Sequence, residues 1–431
     1  MDQVLTNVGR GLFGMLVLIF ICFIFSNNRR AINWRLVMIG IVAQICFALG
    51  VLKINFIKTI FEWVSDGFVK IINIGHEGTK FLFGNLADAS QSWAYVFAIQ
   101  VLPNIIFFSA LSALLYYLGI LQKIVWLFAF LLKKIGITGP ESVSTAGNIF
   151  LGQTEAPLMI RPFLEKMTRS EMLCIMVGGM ANTAGSVLAA YVGFLGGDDP
   201  DQQRYFALHM LSQSIMSAPA AIVVSKILFP STENVISNLS VPKEKIGDNV
   251  LDAISIGTTD GLKLAVNVGA MLIVFTALMY LANATLGFTG DLLSINDDIA
   301  RMTGNRYEGL SLQMILGYVF SPIAWIIGVN SNEMIQVGQL LGEKTILNEF
   351  VAYSSFGAMK NAGVIQDPKS ILITTYALCG FANFASIGIQ IGGISQLAPN
   401  QRKNLTELGL KALLGGTIAC LMCGCVAGML M

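Results

Sequence analysis

Two carboxylates stand where carboxylates are costly. Glu155 sits in Gly152-Gln-Thr-Glu-Ala-Pro157 and Glu349 in Leu347-Asn-Glu-Phe-Val-Ala352. A charged side chain at membrane depth costs several kcal/mol unless it is solvated or paired, so such groups tend to line pathways. The competing reading is an ion pair or a helix cap at the membrane surface. Near these acids in their segments, or in the segments that follow, stand Gln153, Thr154, Asn348, Asn182, Asn383 and Ser386. Together with backbone N–H and C=O groups freed by broken helices, they would make a polar pocket near the midplane. Such a pocket suits a neutral, hydroxyl-rich solute better than an ion alone, because carboxylates and amides can take paired hydrogen bonds from sugar hydroxyls or base edges. Phe381 and Phe384 flank Asn383 and could stack on an aromatic ring, although membrane phenylalanines more often pack against lipid or core. Oxygen donors such as Asn148 and the carbonyl of Leu151 could bind sodium; either glutamate could instead carry a proton. No Walker lysine motif is present, so direct driving by ATP has no support and an ion should supply the energy.

The elements that must hold these residues are membrane helices. Of 431 residues, 55% are hydrophobic and 12% charged, at a net charge of +1. Soluble domains carry about 25% charged residues, so this chain has too little polar surface to cover itself in water. Apolar runs at Gly11–Phe25, Leu36–Leu52, Trp93–Leu118, Ala207–Phe229, Leu262–Leu286, Ile371–Ile394 and Leu405–Met431 mostly approach or exceed the roughly 20 residues a spanning helix needs. Gly11–Phe25 lacks a basic leader and a small-x-small cleavage site, and is read as a first membrane helix. The near-zero net charge offers no support for nucleic-acid binding. Cys420, Cys423 and Cys425 mimic a metal spacing, but with no histidine or acid nearby they read as small packing residues. His76 and His209 are too few for a histidine metal cluster, and no nucleophile–base arrangement points to an enzyme.

Lys and Arg in short loops favour the cytoplasm. Arg29, Arg30 and Arg35 place the first loop inside, and the acidic Asp198, Asp199 and Asp201 suit an external loop. Lys226, Lys243 and Lys245 then mark an internal one, Asp291, Asp297 and Asp298 an external one, and Arg402 and Lys403 an internal one. The tally predicts eight crossings with both termini external. The stretch Ile54–Ile74 looks amphipathic rather than spanning. Ile137–Phe163 contains Pro140, Pro157 and Pro162 with three glycines, and basic residues flank it on both sides (Lys133 and Lys134, then Arg161, Lys166 and Arg169). That density of helix breakers between two cytoplasmic flanks predicts a re-entrant hairpin. A second irregular region spans Gly309–Asp367.

Gly179-Met-Ala-Asn182-Thr-Ala184 and Gly380-Phe-Ala-Asn383-Phe-Ala385 share the pattern G-x-A-N-x-A, 201 residues apart. Each follows an irregular segment bearing one of the two acids, and by the charge tally the two units enter from opposite sides. Small residues are common in membrane helices and could match by chance; joined to the acids and breakers in the same order, the match predicts an inverted repeat.

At these residues the chain resembles the concentrative nucleoside transporter family. The matching motifs are Gly147-Asn-Ile-Phe-Leu-Gly-Gln-Thr-Glu-Ala-Pro157, Leu347-Asn-Glu-Phe-Val-Ala-Tyr353 and Gly380-Phe-Ala-Asn-Phe-Ala-Ser-Ile-Gly388. With helix order, the resemblance covers nearly the whole chain. It implies an all-α membrane fold of eight transmembrane helices plus two re-entrant helical hairpins, with interfacial amphipathic helices. Residues 1–118 would hold scaffold helices and the amphipathic segment, and 119–230 the first transport repeat. Residues 231–290 would hold a cytoplasmic loop and a scaffold helix, and 291–431 the second transport repeat. The resemblance further implies a homotrimer in the cell (inner) membrane, importing nucleosides with an ion by an elevator-type movement. Gln153, Thr154 and Glu155 would meet the nucleobase; Glu349, Asn383 and Ser386 the ribose; Val187 and Phe381 would pack on the base. Sodium, the expected coupling ion, would meet the Asn148 side chain, the Leu151 carbonyl and the pair Asn182-Thr183. Asn182 replaces the family's usual hydroxyl residue, although an amide oxygen could substitute. No other cofactor is expected. Proton coupling remains the alternative, and an ion channel or exchanger built on the two carboxylates a more distant one.

Overall fold

The computed structural model describes residues 2–87, 96–197, 199–232, 247–304 and 306–431. Trp93, Asp198, Lys243 and Lys245, used in the expectations above, lie outside the described residues. Within them the chain is all-helical, with sixteen helices of ten or more residues. They are α1 (Asp2–Ile24), α2 (Trp34–Lys53), α3 (Asn55–Phe83), α4 (Leu102–Tyr117), α5 (Ile120–Lys133), α6 (Gly139–Asn148), α7 (Arg169–Ala181) and α8 (Gly185–Gly196). The rest are α9 (Pro200–Leu228), α10 (Val250–Leu292), α11 (Leu312–Ile326), α12 (Met334–Ile346), α13 (Glu349–Asn361), α14 (Pro368–Leu378), α15 (Phe384–Leu397) and α16 (Arg402–Met429).

Among the described residues, seven helical stretches are long and apolar enough to cross a membrane, counting α7–α8 as one. Their burial separates centre from rim: the windows on α7–α8, α9 and α16 are each 89% buried, that on α10 only 11%. The rim pairs with itself through small residues. On α10, Gly257 and Gly261 let α4 approach so closely that an added Cβ would come 2.6 Å from Ala113 Cβ and 2.8 Å from Ile106 Cα respectively. This one-turn spacing of small residues is how membrane helices pack by van der Waals contact. α1 lies against α16 and α2 against α9, not against the α4–α10 pair. In α3 the buried positions Ser65, Val69, Ile72, Gly75 and Thr79 recur every three or four residues, while Phe56, Trp63 and Phe81 are exposed. The segment anticipated at 54–74 is thus one face of a helix that runs on to Phe83.

Two elements turn back within a short span. α6 begins with a capping box in which Thr138 Oγ1 accepts from Glu141 N and Glu141 returns to Thr138 N. It stops at Asn148, followed by a turn and a 3-10 segment, Ala156–Ile160, where Pro157 removes a backbone donor. α12 and α13 are joined by Leu347 and Asn348 alone, and Asn348 caps α13 by accepting from Val351 N at 3.0 Å.

Both copies of G-x-A-N-x-A break their helices. α7 stops at Ala181 and α8 starts at Gly185; α14 stops at Leu378 and α15 starts at Phe384. The single apolar run over 371–394 is therefore two helices of 11 and 14 residues, neither as long as any of the seven candidate spans. Gly380 explains the break: its φ is +126°, and a Cβ there would sit 2.7 Å from Cys420 Sγ and 2.8 Å from Ala181 O. Only glycine takes that backbone conformation without strain.

Candidate functional site

A broken helix leaves carbonyls without intrahelical partners, and here the two breaks cross. Phe381 N donates to Asn182 O at 3.4 Å, joining one break to the other. Gln213 of α9 donates to Ala181 O at 3.1 Å and to Cys379 O at 3.0 Å, so one amide serves the ends of both α7 and α14. The Cys420 thiol of α16 donates to Cys379 O at 2.9 Å. Cys420 thus caps as well as packs. The capping by Gln213 and Cys420 was not legible in the sequence, because both belong to other helices, far along the chain from the carbonyls they serve.

Around this crossing the polar residues form one network. Asn383 caps α15, its Oδ1 accepting from Ser386 N at 2.8 Å. The same amide donates through Nδ2 to Glu349 Oε2 at 2.6 Å. Glu349 is the first residue of α13, where the helix dipole favours a carboxylate, and is 3% exposed. Ser386 Oγ accepts from Gln153 Nε2 at 3.2 Å, and Gln153 Oε1 accepts from Gln390 Nε2 at 3.1 Å. Gln390 also donates to Met176 O. Gly179, the first residue of the repeat pattern, makes room for this pair: a Cβ there would meet Gln390 Nε2 at 2.6 Å. Gln390 was not anticipated, although it lies one helical turn beyond Ser386 and so on the same face of α15.

The remaining anticipated residues divide. Glu155 does not join the network; its Oε2 accepts from Gly152 N at 3.2 Å and the side chain is exposed in the turn that follows α6. Thr154 lies against α15 at Gly393, where a Cβ would come 2.9 Å from its Cγ2. Val187 is buried in the first turn of α8, Phe381 is half-buried at the break, and Phe384 is exposed. A wall of aromatic rings stands beside Glu349: Tyr191 stacks on Tyr353 at 4.3 Å and meets Phe350 edge-on at 5.3 Å. The buried Tyr191 hydroxyl, close to the Glu349 carboxylate, has no hydrogen-bond partner in good geometry.

Asn148 is 1% exposed, yet among the described residues neither its amide oxygen nor its nitrogen has a partner, and Thr145 Oγ1, one turn earlier, is likewise buried with no partner in good geometry. Leaving such groups unsatisfied costs about 1–3 kcal/mol each, so this cluster fits a bound cation or water as its missing partner. Asn182 faces elsewhere: Nδ2 donates to Gly178 O at 3.2 Å and Oδ1 accepts from Ser217 Oγ at 2.6 Å. One lone pair remains on that oxygen. Thr183 Oγ1 lies 3.3 Å from Cys379 Sγ.

Three family models cover most of the chain: the Na+ dependent nucleoside transporter N-terminus at residues 13–86, the nucleoside recognition Gate at 98–198, and the Na+ dependent nucleoside transporter C-terminus at 209–428. The chain belongs to the concentrative nucleoside transporter family. An uncharacterized transporter of Haemophilus influenzae is 40% identical over 98% of both chains. Sodium/nucleoside cotransporter 1 of Rattus norvegicus is 38% identical over 97% of this chain and 63% of its own length. Among solved structures, the transporter CNTnw in an inward-facing substrate-bound state superposes with a TM-score of 0.88, at 38% identity over 98% of this chain and 99% of that one. A CNTnw variant in an outward-facing state superposes at 0.87, with 36% identity over 98% of this chain and 97% of that one. This concentrative nucleoside transporter homologue is accordingly a multi-pass integral membrane protein, and its relatives are transporters rather than enzymes.

Proposed function

We propose that the chain imports nucleosides together with sodium, and that the linked groups Glu349, Asn383, Ser386 and Gln153 hold the solute. The observation that carries this reading is the network itself: the turn after α6, the start of α13 and the first half of α15 contribute to one buried polar cluster. Glu349 and Asn383 present a carboxylate and an amide side by side, the pair that takes two adjacent hydroxyls of a ribose. Gln153, with Thr154 and Glu155, meets the base edge, and Val187 and Phe381 pack on its face. Sodium takes the place beside Asn148, with the Leu151 carbonyl and the Asn182-Thr183 turn; the unpartnered Asn148 amide supports this.

In the membrane, the seven long apolar spans and the α14–α15 pair make eight crossings, the segments around α6 and α12–α13 enter and leave on one face, and α3 lies in the interface. Both termini are external in a cell (inner) membrane, following the charge of the loops. Three copies assemble, and the solute crosses by an elevator-type shift of the two transport repeats (119–230 and 291–431). The fixed part includes the α4–α10 pair, from 1–118 and 231–290. Because α1 and α2 pack on α16 and α9, we assign them to the moving body, narrowing the scaffold anticipated for 1–118. The homologous inward- and outward-facing CNTnw structures support alternating access.

Equilibrium binding of radiolabelled uridine to the purified chain tests the reading. Binding should be saturable, displaced by unlabelled uridine, and tighter in sodium than in choline at fixed pH. Failure to bind uridine in either salt would refute it; equal binding in both, strengthened by acid, would move the coupling to protons.

A further inference from the structure

α8 and α13 lie alongside each other, and contacts at successive turns fix their register. Lys360 Nζ donates to Leu195 O at 2.9 Å. Further back, Gly357 lets the Phe194 carbonyl approach so closely that an added Cβ would come 2.5 Å from its oxygen. Further back still, the Tyr191 ring stacks on Tyr353 at 4.3 Å and meets Phe350 edge-on at 5.3 Å. Leu195 with Lys360, Phe194 with Gly357 and Tyr191 with Tyr353 ascend together, so the two helices run parallel. One turn before Tyr191 and Tyr353 stand Val187 and Glu349, which the same register brings level.

Helical side chains lean toward the N-terminus, so the Tyr191 hydroxyl reaches back from its own turn to the one that holds Glu349. Tyr191 is fully buried, and its hydroxyl, close to the carboxylate, has no partner in good geometry among the described residues. A buried hydroxyl without an acceptor is costly. The ring has little freedom, because Phe350 and Tyr353 pack on it and the Tyr353 hydroxyl is itself pinned, donating to Thr375 O at 2.8 Å. Glu349 has more, since its carboxylate hangs from a flexible stem and Asn383 holds it at Oε2. A small turn of that stem gives the hydroxyl its acceptor.

We infer that Tyr191 is a positioning residue for ribose recognition: its hydroxyl donates to the Glu349 carboxylate and, with Asn383, aims it at the adjacent hydroxyls of the solute. The bond ties α8 of the first repeat to α13 of the second, so one helix pair carries both Val187 on the base side and Glu349 on the ribose side. The inference rests on the proposed solute site and adds to it a residue that acts through Glu349.

The test compares the wild type, Tyr191→Phe, Glu349→Gln and the double variant of the purified full chain. Phenylalanine keeps the ring and its stack and removes the hydroxyl alone. Tyr191→Phe should weaken uridine binding about 10-fold and leave 2′,3′-dideoxyuridine binding unchanged. Without solute it should lower the unfolding temperature by a few degrees. Added to Glu349→Gln, it should change affinity and unfolding temperature far less, because residues joined by one bond do not act additively. Unchanged uridine affinity in Tyr191→Phe, equal losses for the two ligands, or full additivity in the double variant would overturn the inference. Should the wild type not bind uridine, the proposed function fails, and the unfolding temperatures of the four proteins still judge the bond: equal shifts in both backgrounds refute it.

Discussion

At Asn383 one amide does two things: its oxygen caps α15 and its nitrogen holds Glu349. Losing a cap costs about 0.5–2 kcal/mol, and a hydrogen bond to a charged group contributes about 1.5–3 kcal/mol. Asn383→Ala should therefore lower both the unfolding temperature and uridine affinity, whereas Ser386→Ala should weaken affinity with little loss of stability. Glu349→Gln should leave the fold intact and weaken uridine binding about 10- to 150-fold. It should weaken 2′,3′-dideoxyuridine far less, because that analogue lacks the hydroxyls assigned to Glu349. Equal losses for both ligands, measured by displacement of labelled uridine, would detach Glu349 from the ribose. These residues stood out in the sequence because each is a polar group in an apolar segment, where only a pathway or a structural bond keeps it. Gln390 met the same criterion and matched Ser386 by helical spacing, so the signal for it was present. Which groups would bond to which was not legible, since Gln153 and Ser386 lie 233 positions apart.

The broken helices carry the next level. Glycine, asparagine and alanine at matched places in two apolar segments pointed to the repeat, and the proline-rich stretch before α7 to a hairpin. The exact break in 371–394 needed Gly380, whose positive φ and close approach to Cys420 arise only when α16 lies beside it. Gln213 was hidden for the same reason: its two acceptors, at the ends of α7 and α14, become neighbours only in the folded crossing. Gln213→Leu should leave two buried carbonyls with only the weak Cys420 thiol to share, at up to about 1–3 kcal/mol each, lowering the unfolding temperature clearly. Cys420→Ala removes one weak S–H donor and should cost much less. Comparable losses in the two variants would show that the crossing is held by packing instead. At another element boundary, Lys226 of α9 pairs with Glu141 in the capping box of α6, both buried. Breaking that pair with Lys226→Met should cost about 3–5 kcal/mol, seen as poor recovery of folded protein.

For the whole molecule, a central body around α7–α8, α9 and α16 stands beside a rim pair, α4 with α10, whose two helices are joined to each other through small residues. Composition made the membrane setting plain, since 12% charged residues cannot cover a soluble surface. The grouping of helices was less legible: α1 and α2 precede α4 in sequence yet pack with the central body, because hydropathy marks a span without naming its neighbours. Gly261→Leu should wedge α4 from α10, lowering stability or uptake while leaving uridine affinity in detergent unchanged. The central claim is that the network around Glu349 moves a nucleoside at the expense of a sodium gradient. It is tested most directly by accumulation of radiolabelled uridine in proteoliposomes at equal pH inside and out. An inward sodium gradient should concentrate uridine above its external level, choline should not, and Glu349→Gln should abolish the accumulation. Uptake indifferent to sodium, or undiminished in Glu349→Gln, would contradict the account.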